Sequence, residues 1–180
     1  MQFINKKPKI FIIAGKARSG KDEISTIISN YYGDKKSITI SFGYYIKDYA
    51  KRISNWDGKD ETKPRELLQQ LGIELIKNKI DDKLFIRRII EDIEIFSYFY
   101  DIIIVNDARL IDEIITLKDK YEYSILFKVE RNIDNNLNIN EKNHITEIDF
   151  ENYEKYDYII KNNGNLNDLK LTVEKILKEV

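Results

Sequence analysis

Residues 15 to 21 read Gly-Lys-Ala-Arg-Ser-Gly-Lys, two glycines framing a short loop that closes on a lysine. Without Cβ atoms, Gly15 and Gly20 let the backbone wrap a phosphate with its amides pointing inward, and the Lys21 ammonium can bridge terminal phosphates. The chemistry on offer is phosphate binding by Gly15, Lys16, Ala17, Arg18, Ser19, Gly20 and Lys21; the plain alternative is an ordinary glycine turn. Asp22 then stands where such loops usually carry a metal-binding hydroxyl. A carboxylate there can reach a divalent cation directly or through water, or simply favour a helix N-terminus.

A second acid, Asp107, follows the apolar run Ile-Ile-Ile-Val. The carboxyl end of a strand in a parallel sheet is where ligands gather, so Asp107 is a candidate metal acid; otherwise it caps the next helix. Arg109 reaches the same crevice. On a helix expected from about Pro64, the spacing i, i+4, i+7 puts Arg65, Gln69 and Gly72 on one stripe, beside Leu68, Leu71 and Leu75. Gly72 inside a helix costs about 1 kcal/mol relative to alanine, which implies a close neighbour. Arg65 on a phosphate and Gln69 on a base edge is the functional reading of this stripe, and a solvated flank is the other. The single histidine, His144, receives no catalytic role, because a phosphate acceptor is already anionic and needs positioning rather than deprotonation.

These residues require a scaffold that alternates strands and helices. Apolar runs at 9–14, 36–41, 101–107, 123–129 and 157–161 read as strands, with helices over 21–32, 43–54, from 64, 82–98, 109–120 and 165–178. The run at 101–107 hardly alternates, as a strand covered on both faces should not, and it belongs in the middle of the sheet. The pattern predicts a three-layer α/β fold with a parallel, roughly five-stranded sheet. The asparagine-rich stretch 131–144 lacks bulky core residues and is expected to be a mobile surface segment.

Composition narrows the classes further. Thirty basic against thirty-one acidic residues leave no global field to draw a nucleic acid or an anionic membrane, and no basic stripe with interleaved aromatics is present. The absence of cysteine excludes disulfides, thiolate metal sites and a cysteine nucleophile. The apolar run near the N-terminus is too short for a membrane span and lacks signal-peptide features, so the expected location is the cytoplasm.

The ordered segments GKARSGKD, SFGYYIKDYAKRISNWDG, RELLQQLGIELI, IIIVNDAR, VER, HITE and IIKNNGNLNDL resemble, nearly end to end, the phage-type deoxynucleoside monophosphate kinases. The resemblance implies an adenylate-kinase-like P-loop NTPase fold in one domain, residues 1–180, with acceptor-binding helices over about 43–98 and a small lid over about 131–144. It implies transfer of the γ-phosphate of ATP to a deoxynucleoside monophosphate with Mg²⁺. By the same resemblance Gly15 to Asp22 hold the ATP phosphates, and Asn163 and Gly164 lie near the adenine. Asp22 and Asp107 serve the metal; Lys21, Asp107, Arg109 and Arg131 carry catalysis, with Arg131 opening the lid. Phe42, Lys47, Arg65, Gln69 and Gly72 form the acceptor site.

An aspartate directly after the loop lysine is this family's habit, which accounts for Asp22. Three departures stand out: Glu23 replaces the usual threonine, Tyr45 replaces a proline of the acceptor wall, and the connection around residues 50–63, where part of the base preference is expected to be decided, is short. The alternatives are another small-molecule P-loop kinase of the dephospho-coenzyme A or phosphomevalonate type, and a non-catalytic ATP-binding regulator. The choice of base, and whether the chain pairs as a homodimer, are left open.

Overall fold

The computed structural model describes residues 3–132 and 145–180. Five parallel strands, β1 (Lys9–Gly15), β2 (Ser37–Ile40), β3 (Ile102–Ala108), β4 (Ile125–Glu130) and β5 (Tyr158–Lys161), form one sheet in the order β2-β3-β1-β4-β5. The connection leaving β1 runs to the β2 edge of the sheet, and that leaving its neighbour β3 crosses over β1 to β4 on the opposite side. Their carboxyl ends therefore flank the crevice where such sheets bind ligands.

The layers follow from the pleat. On one face Ile10, Ile12 and Ala14 of β1 pack with Phe42, Ile86, Ile89 and Ile114, contributed by helices α2 (Phe42–Ile53), α4 (Leu84–Phe96) and α5 (Ile111–Lys120). On the other, Phe11 and Ile13 meet Ile24 and Ile28 of α1 (Lys21–Tyr31) and Leu169 and Val173 of the last helix, α7 (Leu166–Leu177). Burial on both faces explains the unbroken apolar strands. Run 101–107 is interior, as expected, although β1 rather than β3 occupies the centre.

Two elements differ from expectation. The helix starting at Arg65 is α-helical only to Gln69 (α3) and then widens into a π-helix over Gln70–Ile80. The wider winding turns the later side chains off the 3.6-residue stripe: Leu75 is 42% exposed, and Ile76 is the buried residue instead. A short helix α6 (Ile145–Ile148) and a 3₁₀ turn (Asp149–Asn152) precede β5, where no element was expected. Phe150 anchors the turn in the core, and Asp149 Oδ2 accepts the Ile111 N–H at 2.6 Å, satisfying the start of α5. Apart from Arg131 and Asn132, the expected lid segment lies outside the described residues, as does His144. Among the described residues no helix is long and apolar enough to cross a membrane.

Candidate active site

The loop between β1 and α1 is shaped by what surrounds it. Gly20 sits at the N-cap of α1 in the left-handed region, φ 103°, and a Cβ there would collide with the Asn162 amide. That amide, 6% exposed at the end of β5, donates to the Ser19 carbonyl at 2.8 Å and pins the loop from beneath. The buried Lys21 ammonium donates to the carbonyls of Gly15 at 2.8 Å and Lys16 at 2.6 Å, which hold it against the loop. Asp22 and Glu23 occupy the first turn of α1, where acids complement the helix dipole. Asp22 has a further partner: its Oδ1 accepts from Asn106 Nδ2 at 2.7 Å, tying the loop to the end of β3.

Asp107, the penultimate residue of β3, turns its carboxylate to the start of α2. Oδ1 accepts the Phe42 N–H at 2.8 Å and Oδ2 the Gly43 N–H at 2.9 Å. Ser41 caps the same helix by accepting the Tyr44 N–H at 3.1 Å. Asp107 does cap a helix, then, but α2 rather than the α5 that follows it in sequence. Two residues on, the Arg109 and Leu110 N–H groups both donate to Glu113 Oε2, at 2.8 and 3.0 Å. Burial pushes the Glu113 carboxyl up to about 7, against the two amides, which pull it down.

These pieces surround a cleft of about 640 Å³. Ala17, Arg18, Gly20, Lys21 and Asp22 line one side and Phe42, Lys47, Arg65, Gln69 and Gly72 the other, with Asp107, Arg109 and Arg131 also on its wall. The neighbour implied by Gly72 is Ile46 of α2: a Cβ would stand 3.1 Å from Ile46 Cδ1. Tyr45 does not itself line the cleft; its ring stacks on Phe85, which does, and its hydroxyl donates to Asp92.

Five expected residues stand off the cleft wall. Gly15 lies at the root of the loop, and Ser19 is buried under it. Lys16 pairs with Glu151 of the 3₁₀ turn at 2.9 Å. Asn163 Oδ1 accepts the Asn132 N–H at 2.8 Å, rooting the segment that begins at Arg131, and Gly164 packs on Asp168 in the first turn of α7. Several contributors escaped the sequence reading. Asn162 and Asn106 are neighbours in sequence of residues it named, but nothing in spacing distinguishes a buried amide from an exposed one. Glu113 at N3 of α5 could have been read as a capping acid. Asp60 and Lys63 lie in the turn-rich connection before α3.

Among the described residues no group of three or more histidines and acids could enclose a metal. Asp22 and Asp107 nevertheless offer hard oxygen donors on the cleft wall. That donor set fits Mg²⁺, which typically takes one or two carboxylates and completes its shell with phosphate oxygens and water. A glycine-framed loop, a lysine and arginines from separate elements line one cleft, a set of groups with the charge to position and neutralise phosphate-bearing molecules.

Comparison with known proteins agrees with this geometry. The sequence model described as deoxynucleotide monophosphate kinase matches residues 33–173. No curated protein matches the sequence. Among solved structures, shikimate kinase from Aquifex aeolicus vf5 superposes with a TM-score of 0.53 at 10% identity, covering 94% of this chain and 96% of that one. Dephospho-CoA kinase from Campylobacter jejuni gives a TM-score of 0.50 at 17% identity, over 96% and 97% of the two chains. At these identities the two structures establish a shared fold.

Proposed function

The chain belongs to the deoxynucleotide monophosphate kinase family, and from that premise we propose how its cleft performs ATP-dependent phosphoryl transfer to a deoxynucleoside monophosphate. The loop Gly15–Lys21 takes the ATP phosphates, with Lys21 leaving the Gly15 and Lys16 carbonyls for the terminal phosphates. Arg65 takes the acceptor's phosphate, Gln69 meets the base, and Phe42 packs beside it. Arg109 and Arg131 stabilise charge on the transferring group. The observation that supports this reading is that the loop and the acceptor wall open onto one cleft with Asp107 on its wall. A phosphate acceptor supplies its own anionic oxygen, so positioning and charge neutralisation suffice and no general base is required.

Mg²⁺, held by Asp22 and Asp107 with the ATP phosphates, would supply neutralisation of the developing charge. Asp107 has a second duty that needs no metal: through Phe42 and Gly43 it fixes the acceptor helix relative to the strand beside the loop. Such an ATP-consuming reaction belongs in the cytoplasm. The segment from Arg131 onward serves as the lid that excludes water.

The test is to incubate the purified protein with ATP, Mg²⁺ and each of dAMP, dCMP, dGMP and dTMP and to measure diphosphate formation. At least one is converted. Lys21→Ala loses roughly 3 kcal/mol of transition-state stabilisation, on the order of a hundredfold in rate. Arg65→Ala raises KM for the monophosphate far more than for ATP, and Arg65→Lys does not restore it, because an ammonium cannot form the bidentate fork. Full activity of Lys21→Ala, or a raised ATP KM alone in Arg65→Ala, would reassign the two sides of the cleft.

A further inference from the structure

The connection between α2 and α3 carries charged residues that the family's phosphate loop and strand-end motifs do not include. Asp60 and Lys63 both reach the cleft from it, beside Lys47 of α2 and Arg65 of α3. The connection is tied together by its own bonds: Asp57 accepts from the Lys59 N–H and from the Thr62 hydroxyl, and the Trp56 indole donates to the Lys59 carbonyl. It is a shaped turn that presents Asp60 and Lys63 three residues apart.

Lys63 is half-buried, and its ammonium donates to Asp60 Oδ1 at 3.3 Å. Burial lowers its pKa most, and the neighbouring charges of Lys47 and then Arg65 lower it as well, while Asp60 works in the opposite direction. The Asp60 carboxyl in turn is held below its ordinary value by Lys63 first, then by Lys47 and Arg65. Lys47, Lys63 and Arg65 thus line one cleft from α2, the connection and α3, and Lys63 holds Asp60 beside it as an ion pair. The side chain of Asp60 is 86% exposed against 21% for Lys63, so the acid can swing into solvent while the lysine stays on the wall.

We propose that Lys47, Lys63 and Arg65 together form the seat of the acceptor's phosphate, and that Asp60 is its resident counter-ion, displaced when the phosphate arrives. This rests on the reading of the α2–α3 side as the acceptor side. The physical argument is one of charge matching. A phosphate monoester near neutral pH is close to a dianion and can take several cations at once, whereas Asp60 offers Lys63 a single charge. The acid keeps the cations from repelling one another in the empty cleft, and an exposed pair of this kind is weak enough to be exchanged. Lys63 is therefore a binding residue and Asp60 a competitor for its place, so their removal acts in opposite directions.

The opposite signs make the test. Each of dAMP, dCMP, dGMP and dTMP is titrated by calorimetry, without ATP, into wild type, Lys63→Met, Lys63→Arg and Asp60→Asn, with ATP titrated separately into all four proteins as control. For the monophosphate that wild type binds, Lys63→Met weakens affinity at least about tenfold, as loss of a hydrogen bond between charged groups should. Lys63→Arg retains most of it, and Asp60→Asn tightens binding roughly two- to fivefold. ATP affinity stays within twofold throughout, which also certifies that the variants are folded. If wild type binds a monophosphate and Lys63→Met binds it equally well, or Asp60→Asn binds it more weakly, the proposed seat is wrong while the kinase reading stands. If wild type binds ATP but none of the four monophosphates, the acceptor reading fails and the seat fails with it.

Discussion

Asp107 Oδ1 accepts the backbone N–H of Phe42 at 2.8 Å, so the acid at the end of β3 and the first residue of α2 are a single hydrogen-bonded unit. The companion bond to Gly43 is closely packed: a Cβ at position 43 would stand 2.9 Å from Asp107 Oδ2, so the carboxylate must shift to admit it. Gly43→Ala should therefore push the carboxylate off the helix and lower kcat/KM for the monophosphate at least about tenfold, with about 1–3 kcal/mol lost in urea unfolding. Asp107→Asn can offer only one oxygen and places an NH₂ against the other amide. It should be less stable than wild type by a similar amount and also slower in kcat, where charge on the transferring group is neutralised.

Asn162 gives a prediction about the donor side. Its amide is the buried partner of the Ser19 carbonyl. Asn162→Ala leaves that carbonyl unpaired and should cost about 1–3 kcal/mol of stability, with a several-fold loss of ATP affinity from a looser loop. Asn162→Asp should be worse than alanine, because a buried carboxylate cannot donate and carries its own desolvation cost. Urea unfolding and ATP titration on the two variants check the order.

Glu113 predicts a pH dependence. Its carboxyl is raised by burial to about 7, above the 4.5 of an unperturbed glutamate. The folded state therefore holds this proton more tightly than the unfolded chain, and stability falls as pH rises. The contribution is fully present below pH 4.5, declines between 4.5 and about 7, and is gone above that, for a loss on the order of 3 kcal/mol. Glu113→Gln keeps an oxygen for the Arg109 and Leu110 amides without the titration. Its urea midpoint should be flatter between pH 5 and pH 8 than that of wild type.

The sequence made the strand–loop–helix unit at residues 9–31 legible because local signals coincide there: an apolar run, glycines at fixed spacing, and a helix with acids in its first turn. The stripe Arg65, Gln69, Gly72 also reaches the cleft as the helical period predicts. Leu75 does not follow that period, because winding into a π-helix is a tertiary outcome that no local propensity announces. Long-range pairings were equally silent. Asp22 meets Asn106 and Asp107 meets Phe42 only after β1, β3 and α2 have been brought together by the sheet order. A candidate acid could be named from its place after a strand; which helix it would hold could not. The Lys16 ammonium likewise pairs with Glu151, a partner far away in sequence that no local signal announces.

The central claim is that donor and acceptor phosphates share one cleft between the loop and the α2–α3 side. A bisubstrate compound, adenosine joined through a pentaphosphate to the deoxynucleoside of the preferred monophosphate, tests it directly, since one molecule must span both halves. Steady-state inhibition should be competitive against ATP and also against the monophosphate, with affinity well above that of either nucleotide alone. Inhibition competitive against ATP only, at an affinity no better than that of ATP, would contradict the claim and separate the acceptor site from this cleft.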